Sequence, residues 1–376
     1  MSEETIYQRL QKQGVSRRDF LKLCGTLVGA MGLAVPPLEG SNLPGHLGKI
    51  EDKTILKVAR ALESKARIPV IWLEFQDCAG CSEALTRSQS PTLIDLVLNT
   101  ISVEYHETLT AAAGFQTEAN KESVMQNYHG QYVLVVEGSI PTAADGVYCT
   151  IGGRTALDLL KEAAEGAAAI ISTGNCATFG GLPKANPNPT GAKGTWEIIT
   201  DKPVVNIPGC PAIPEVFTGT LAYFVIFGAL PELDDLNRPI TFYGKTIHDR
   251  CLRRPFYEAG KFALSFDDEG AKEGWCLYKL GCKGPTTYNA CASLKWDAGL
   301  SFPVQSGHPC LGCSEPNFWD GGGFYQGQSA PLNRPGLTAA GAAVGGGLVV
   351  GAAMAAGNRA QKKRAASGLE EEKNQE

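Results

Sequence analysis

Four short apolar runs punctuate the chain between residues 68 and 207. Ile68–Leu73, Gln131–Val136, Ala167–Ser172 and Pro203–Ile207 carry no charge, and each stops close to small or turn-forming residues. Such short runs, apolar without strict alternation, predict strands covered on both faces. The stretches between them predict helices over Cys81–Arg87, Pro91–Asn99, Ala156–Glu165 and Ile213–Gly228. Strands alternating with helices argue for an α/β fold, an open and mostly parallel sheet with helices on both faces. In such sheets the binding crevice lies beyond the carboxyl ends of the strands. From about Ile240 the pattern breaks down into Gly, Pro, Cys and aromatic residues. So irregular a stretch is a poor free-standing core, and bound metal clusters would organise it.

The two ends read differently, and both are expected to lie outside the fold. Ser16-Arg17-Arg18-Asp19-Phe20-Leu21-Lys22, followed by the small-residue apolar run Leu23–Val35, resembles a twin-arginine export signal. Residues 1–61 are therefore read as signal and linker, with cleavage sites on offer at Gly32-Leu33-Ala34 and Ala59-Arg60-Ala61. That route exports folded proteins, so metal-bound thiolates can reach an oxidising compartment intact. Residues 337–357 hold 21 positions without a charge, followed by Arg359, Lys362, Lys363 and Arg364. They predict a transmembrane anchor with a cytoplasmic tail at 358–376 and the body on the periplasmic side.

The chain has 376 residues, 19% of them charged, and a net charge of −5. This excludes a disordered chain and gives no basic excess for nucleic acid. The twelve cysteines decide more. Cys24 falls in the signal, and Cys149 has no close partner and reads as a buried free thiol. Ten remain. Cys78, Cys176 and Cys210 follow three different strands, with Cys81 on the first loop, so four thiols converge on one crevice. Cys78/Cys81 and Cys310/Cys313 are C-x₂-C pairs, and His248/Cys251 has the same spacing. The eleven candidates divide as four, four and three. Iron–sulfur clusters, zinc and disulfides all remain open on spacing alone.

The motifs Asp77–Glu83, Val136–Pro141, Ile207–Pro211, Ile247–Cys251, Gly274–Tyr278, Gly281–Pro285 and Gly307–Cys313 resemble the small subunit of membrane-bound nickel–iron hydrogenases. The likeness runs from about Arg67 to Trp319. It implies a flavodoxin-like domain over 66–240 and a two-cluster domain over 241–330. It also implies the cofactors: a proximal [4Fe-4S] cluster on Cys78, Cys81, Cys176 and Cys210; a distal [4Fe-4S] cluster on His248, Cys251, Cys276 and Cys282; a medial [3Fe-4S] cluster on Cys291, Cys310 and Cys313. His308 is matched to no ligand, and Pro303 stands where a fourth medial thiolate would be expected. Oxygen-tolerant members carry two extra cysteines where this chain has Gly80 and Gly181. The resemblance implies that H₂ is split in a separate large subunit while this chain carries electrons to a membrane cytochrome b or another quinone-linked subunit. A pairing of such heterodimers follows from the small-residue face of the anchor. Two rival readings stand beside it: an exported, disulfide-stapled binding protein, and a subunit related to respiratory quinone reductases. Export and the seven ligand candidates after residue 247 oppose the second rival.

Overall fold

The computed structural model describes residues 4–31, 52–89, 91–297, 299–322 and 324–326. Residues 1–328 form one compact unit; the second unit, 329–376, lies outside the described residues. At its centre is a five-stranded parallel sheet. In chain order the elements that place the site are α1 (Ile6–Lys12), α2 (Arg17–Ala30), α3 (Asp52–Ser64), β1 (Ile68–Glu74), α4 (Gly80–Thr86) and β2 (Ile101–His106). There follow α5 (Phe115–Asn127), β3 (Tyr132–Glu137), α6 (Ala156–Glu165), β4 (Ala167–Thr173), α7 (Gly174–Phe179), β5 (Val204–Ile207) and α8 (Pro214–Phe227). The strand order is β2-β1-β3-β4-β5. This is the flavodoxin-like winding, whose switch point lies between β1 and β3.

Successive strand residues face opposite sides of the sheet, and both sides are buried. Val70, Trp72, Val133, Val135, Ile171 and Val205 meet Val216, Phe217 and Leu221 of α8 on one side. Ile71, Leu73, Leu134, Val136 and Ile170 meet Leu159, Leu160 and Ala163 of α6 on the other. After residue 240 the chain is irregular as expected: among the described residues no helix there exceeds the five residues of Arg254–Glu258.

Three expectations change. The predicted helix over Pro91–Asn99 is a short turn, Leu93–Asp95, running into a wider coil at Leu96–Thr100 that leads straight into β2. The N-terminal segment does not stand outside the fold. Phe20, Leu27, Val28 and Met31 of α2 and its cap are at most 2% exposed. Lys65 donates from Nζ to the carbonyls of Val225 and Ile226 at 2.8 and 3.1 Å, and Ile6 donates its N–H to the Lys65 carbonyl. The physical reason is that α8 is apolar nearly all round, so its outer face needs a cover. A side chain on Gly219 would come within 2.0 Å of the Ala30 carbonyl oxygen, so glycine there sets how closely α2 approaches.

The third change concerns the membrane. No helix among the described residues is long and apolar enough to cross a bilayer. The longest, α2 and α8, have 14 residues each. At 1.5 Å per residue they reach about 21 Å against a hydrocarbon core of about 30 Å. The expected fold with a C-terminal transmembrane helix is corrected to an α/β fold in which no described helix crosses a bilayer. Residues 337–357 lie outside the described residues.

Candidate metal centres at the strand ends and in the C-terminal region

The loop after β1 ends at Cys78, turns through Ala79 in a left-handed conformation (φ 54°), and opens α4 with Gly80 and Cys81. The Asp77 carboxylate accepts the Ala79 N–H at 3.2 Å and holds the turn. Cys176 lies in α7 directly after β4, and Cys210 follows β5. Cys78 is within electrostatic reach of Cys176 and Cys210, and Cys81 of the same two. The four thiols therefore share one place. Glycines leave room for them. A Cβ on Gly174 would meet the Cys81 sulfur at 2.4 Å, and one on Gly181 would meet the Cys176 sulfur at 2.5 Å.

A second set gathers around one cavity lined by His248, Cys251, Cys276 and Cys282. His248 starts a single tight turn, and its ring meets Tyr257 edge-on at 4.8 Å. Burial, then the Arg254 charge, lowers its pKa, which leaves the neutral imidazole that a metal requires. A third set, Cys291, Cys310 and Cys313, lines a cavity of about 620 Å³ together with Cys210, Pro303 and His308.

The three sets are joined in a line. The Cys210 N–H acts on the Cys313 thiol, linking the first set to the third. The Cys310 N–H donates to the Cys282 sulfur at 3.3 Å, linking the third to the second. Asn175, next to Cys176, donates from Nδ2 to the carbonyls of Cys313 and Glu315 at 3.0 and 3.1 Å.

The donor chemistry fits iron–sulfur clusters. All twelve cysteines are free thiols, so the disulfide reading finds no bridge. Burial first, and neighbouring thiols after it, push Cys176 and Cys282 up to about 12, and Cys310 and Cys313 up to about 11. Thiolates packed this closely repel one another, and a metal centre supplies the positive charge that lets them coexist. Among the described residues no carboxylate lines the His248 cavity.

Three singled-out residues belong to none of the ligand sets, although His308 lines the third cavity. Both ring nitrogens of His308 are engaged, Nδ1 donating to the Pro309 carbonyl and Nε2 accepting from the Tyr325 hydroxyl, each at 2.8 Å. Cys149 is half-buried before the antiparallel pair Thr150–Ile151 and Arg154–Thr155. Cys24 is fully buried in α2, its thiol pushed up to about 12 by burial.

Sequence reasoning missed a polar network under the first set. Glu137, at the end of β3, accepts N–H bonds from Cys81 and Ser82 at 2.8 and 3.0 Å and the Ser82 hydroxyl at 2.6 Å. Burial pushes its carboxyl up to about 7, opposed chiefly by the Ser82 bond. His106 lies 3.0 Å from the Ser82 oxygen through Nε2, and its Nδ1 accepts the Thr108 N–H. Ser82 thus passes a hydrogen bond from His106 Nε2–H to Glu137. The signal available was the charged residue that ends two of the apolar strands, Glu74 on β1 and Glu137 on β3.

Comparisons with known proteins agree with this arrangement. Residues 243–326 match the family model for the C-terminal part of the NiFe/NiFeSe hydrogenase small subunit. Residues 78–224 match that of the NADH ubiquinone oxidoreductase, 20 Kd subunit. The uptake hydrogenase small subunit of Cupriavidus necator is 46% identical over 98% of this chain and 99% of that protein. The hydrogenase-1 small chain of Escherichia coli K12 is 46% identical over 92% and 91%. Among solved structures, a reduced, active form of the Ni-Fe-Se hydrogenase from Desulfomicrobium baculatum superposes with a TM-score of 0.66 and 36% identity, covering 70% of this chain and all of that one. The quinone-reductase reading accounts for the first region only, whereas the hydrogenase relatives span both regions and every thiol set. The chain is an oxidoreductase subunit and belongs to the small subunits of the nickel–iron hydrogenases.

Proposed function

We propose that this chain is the electron relay of an uptake hydrogenase, with Cys78, Cys81, Cys176 and Cys210 holding the proximal [4Fe-4S] cluster. His248, Cys251, Cys276 and Cys282 hold the distal [4Fe-4S] cluster, and Cys291, Cys310 and Cys313 the medial [3Fe-4S] cluster. The observation that carries the reading is the linear linkage of the three thiol sets through Cys210–Cys313 and Cys310–Cys282. When bound, each cluster supplies a one-electron carrier whose potential is tuned by ligand type, hydrogen bonds and exposure. The chain's own residues do the rest. Asn175 ties the proximal turn to the medial loop, and the Cys310 N–H donates to a distal ligand sulfur. His248 as a neutral ligand leaves the distal set one negative charge lighter than a four-thiolate set. Pro303 lines the medial cavity and offers no ligand atom, which suits a three-iron cluster.

The partners follow from the same reading: a large subunit that splits H₂, and a membrane cytochrome b or other quinone-linked acceptor near the distal set. Arg17 and Arg18 are read as the export signal that delivers the folded protein to the periplasm. Gly80 and Gly181 are read as the mark of the standard, oxygen-sensitive proximal site. The test is Cys81→Ser in the heterodimer. It should remove or convert the proximal cluster and abolish H₂-driven dye reduction, leaving the medial three-iron signal in place. Full activity with an unaltered proximal signal contradicts the assignment.

A further inference from the structure

Among the described residues, Arg253 is the one permanent charge on the wall of the cavity formed by His248, Cys251, Cys276 and Cys282. It is 7% exposed. Its Nε donates to the Val304 carbonyl at 2.9 Å and its Nη1 to the Trp275 carbonyl at 2.8 Å. The other buried arginine among the described residues, Arg238, is paired with the carboxylates of Asp234 and Glu315. Among the described residues the Arg253 guanidinium has neutral carbonyl partners only. A buried cation without an anion is costly, and a negatively charged occupant of the cavity removes that cost.

The same residue reaches the ligands directly. Its backbone N–H donates to the Cys251 sulfur at 3.4 Å. Burial pushes the Cys251 and Cys276 thiols up, and the Arg253 charge opposes it at both. The rest of the wall, Ile247, Leu277, Tyr278, Gly284, Pro285 and Val304, carries no further charge, so little screens that of Arg253.

We propose that Arg253 is a positioning residue for electron exit, whose unpaired buried charge offsets the negative charge of the distal ligand set and keeps the group bound there easier to reduce. This rests on the reading that the His248 set holds a cluster. Reduction adds one negative charge to such a group, and a nearby cation favours the reduced form.

The test is an EPR-monitored redox titration of the anaerobically purified heterodimer as wild type, Arg253→Lys and Arg253→Gln. Lys keeps the charge; Gln keeps a hydrogen-bond donor without it. In Arg253→Gln the ratio of reduced to oxidised distal cluster at a fixed potential should fall by at least about tenfold, a midpoint lower by about 59 mV for one electron. In Arg253→Lys the midpoint should stay close to wild type. Loss of the distal cluster in Gln alone also supports the charge role. An unmoved midpoint in Gln, an equal shift in both variants, or loss of the cluster in both overturns it. A wild-type protein with no signal from the distal set overturns the cluster reading itself, a result distinct from an intact cluster with an unmoved potential.

Discussion

Gly181→Ala is the smallest change that tests whether backbone around Cys176 is a cradle for a cluster. Gly181 has φ +54°, and an added Cβ would lie 2.5 Å from the Cys176 sulfur, 2.8 Å from its Cα and 2.9 Å from its N. Ordinary contact begins at 3.4 Å, so the sulfur must retreat by about 0.9 Å (3.4 − 2.5) and the Cα by about 0.6 Å (3.4 − 2.8). Rotating the side chain frees the sulfur but not the backbone atoms. Metal–ligand distances tolerate about 0.2 Å, so the displacement is several times what a cluster ligand can absorb. The positive φ combined with ψ −147° is a region essentially reserved for glycine, and it adds about 1–3 kcal/mol for a residue with a Cβ. The variant heterodimer should therefore lose about four irons per chain, the content of one cubane cluster, while the medial and distal signals persist. Iron analysis and EPR of anaerobically purified protein read this directly. Full iron content with an unchanged proximal signal would refute the reasoning. By contrast, a Cβ on Gly80 meets only the Cys78 sulfur, at 3.0 Å, at close range. Pairing Gly80→Cys with Gly181→Cys to supply the thiolates of the oxygen-tolerant type therefore meets its obstacle at 181, where the 176–181 backbone must also change.

Gly219→Leu should push α2 off α8 by at least about 1.4 Å (3.4 − 2.0), enough to forfeit most of the dispersion contacts there. Trypsin should cut at Arg18 or Lys22 several-fold faster than in wild type with iron content unchanged, and equal rates would contradict the packing. Burial lowers the pKa of His106 from 6.5 to about 4, so its stabilising contribution is complete above pH 6.5 and is lost as pH falls through that window. Loss of up to about 3 kcal/mol follows from ~1.36 kcal/mol per pH unit. His106→Asn should flatten the dependence of Tm on pH between 6.5 and 4, and an unchanged slope would count against it. Cys149→Ala should leave all iron in place, since the thiol belongs to none of the three sets; lost iron would place it among the ligands.

The sheet was legible because its strands are apolar on both faces and end at small residues. Ile68–Leu73 and Gln131–Val136 were predicted within a residue at each end of β1 and β3. β2 escaped because Ile-Ser-Val-Glu-Tyr-His mixes polar and apolar positions at the sheet edge and no turn residue separates it from the coil before it. The first thiol set was legible from spacing, because three strand ends in one parallel sheet point to one crevice; the division of the other seven candidates into two sets came from the family resemblance. What spacing could not convey is the order of the sets, which depends on the Cys210–Cys313 and Cys310–Cys282 contacts between segments 28 or more residues apart. Nor could it show Arg253 or His106, whose roles come from what surrounds them. The N-terminal segment was misplaced for a related reason. Its apolar run fits an export signal and equally fits the outer face of α8, and sequence alone does not weigh the two.

The central claim is that one chain holds three clusters in a four-four-three arrangement. Iron and sulfide analysis with Mössbauer spectroscopy on the anaerobically purified heterodimer tests it most directly, once the large subunit's own iron is counted separately. The account predicts about eleven irons in this chain, as two cubane clusters and one three-iron cluster with an oxidised EPR signal. A chain holding zinc or no iron, or one holding a single cubane cluster, would contradict it.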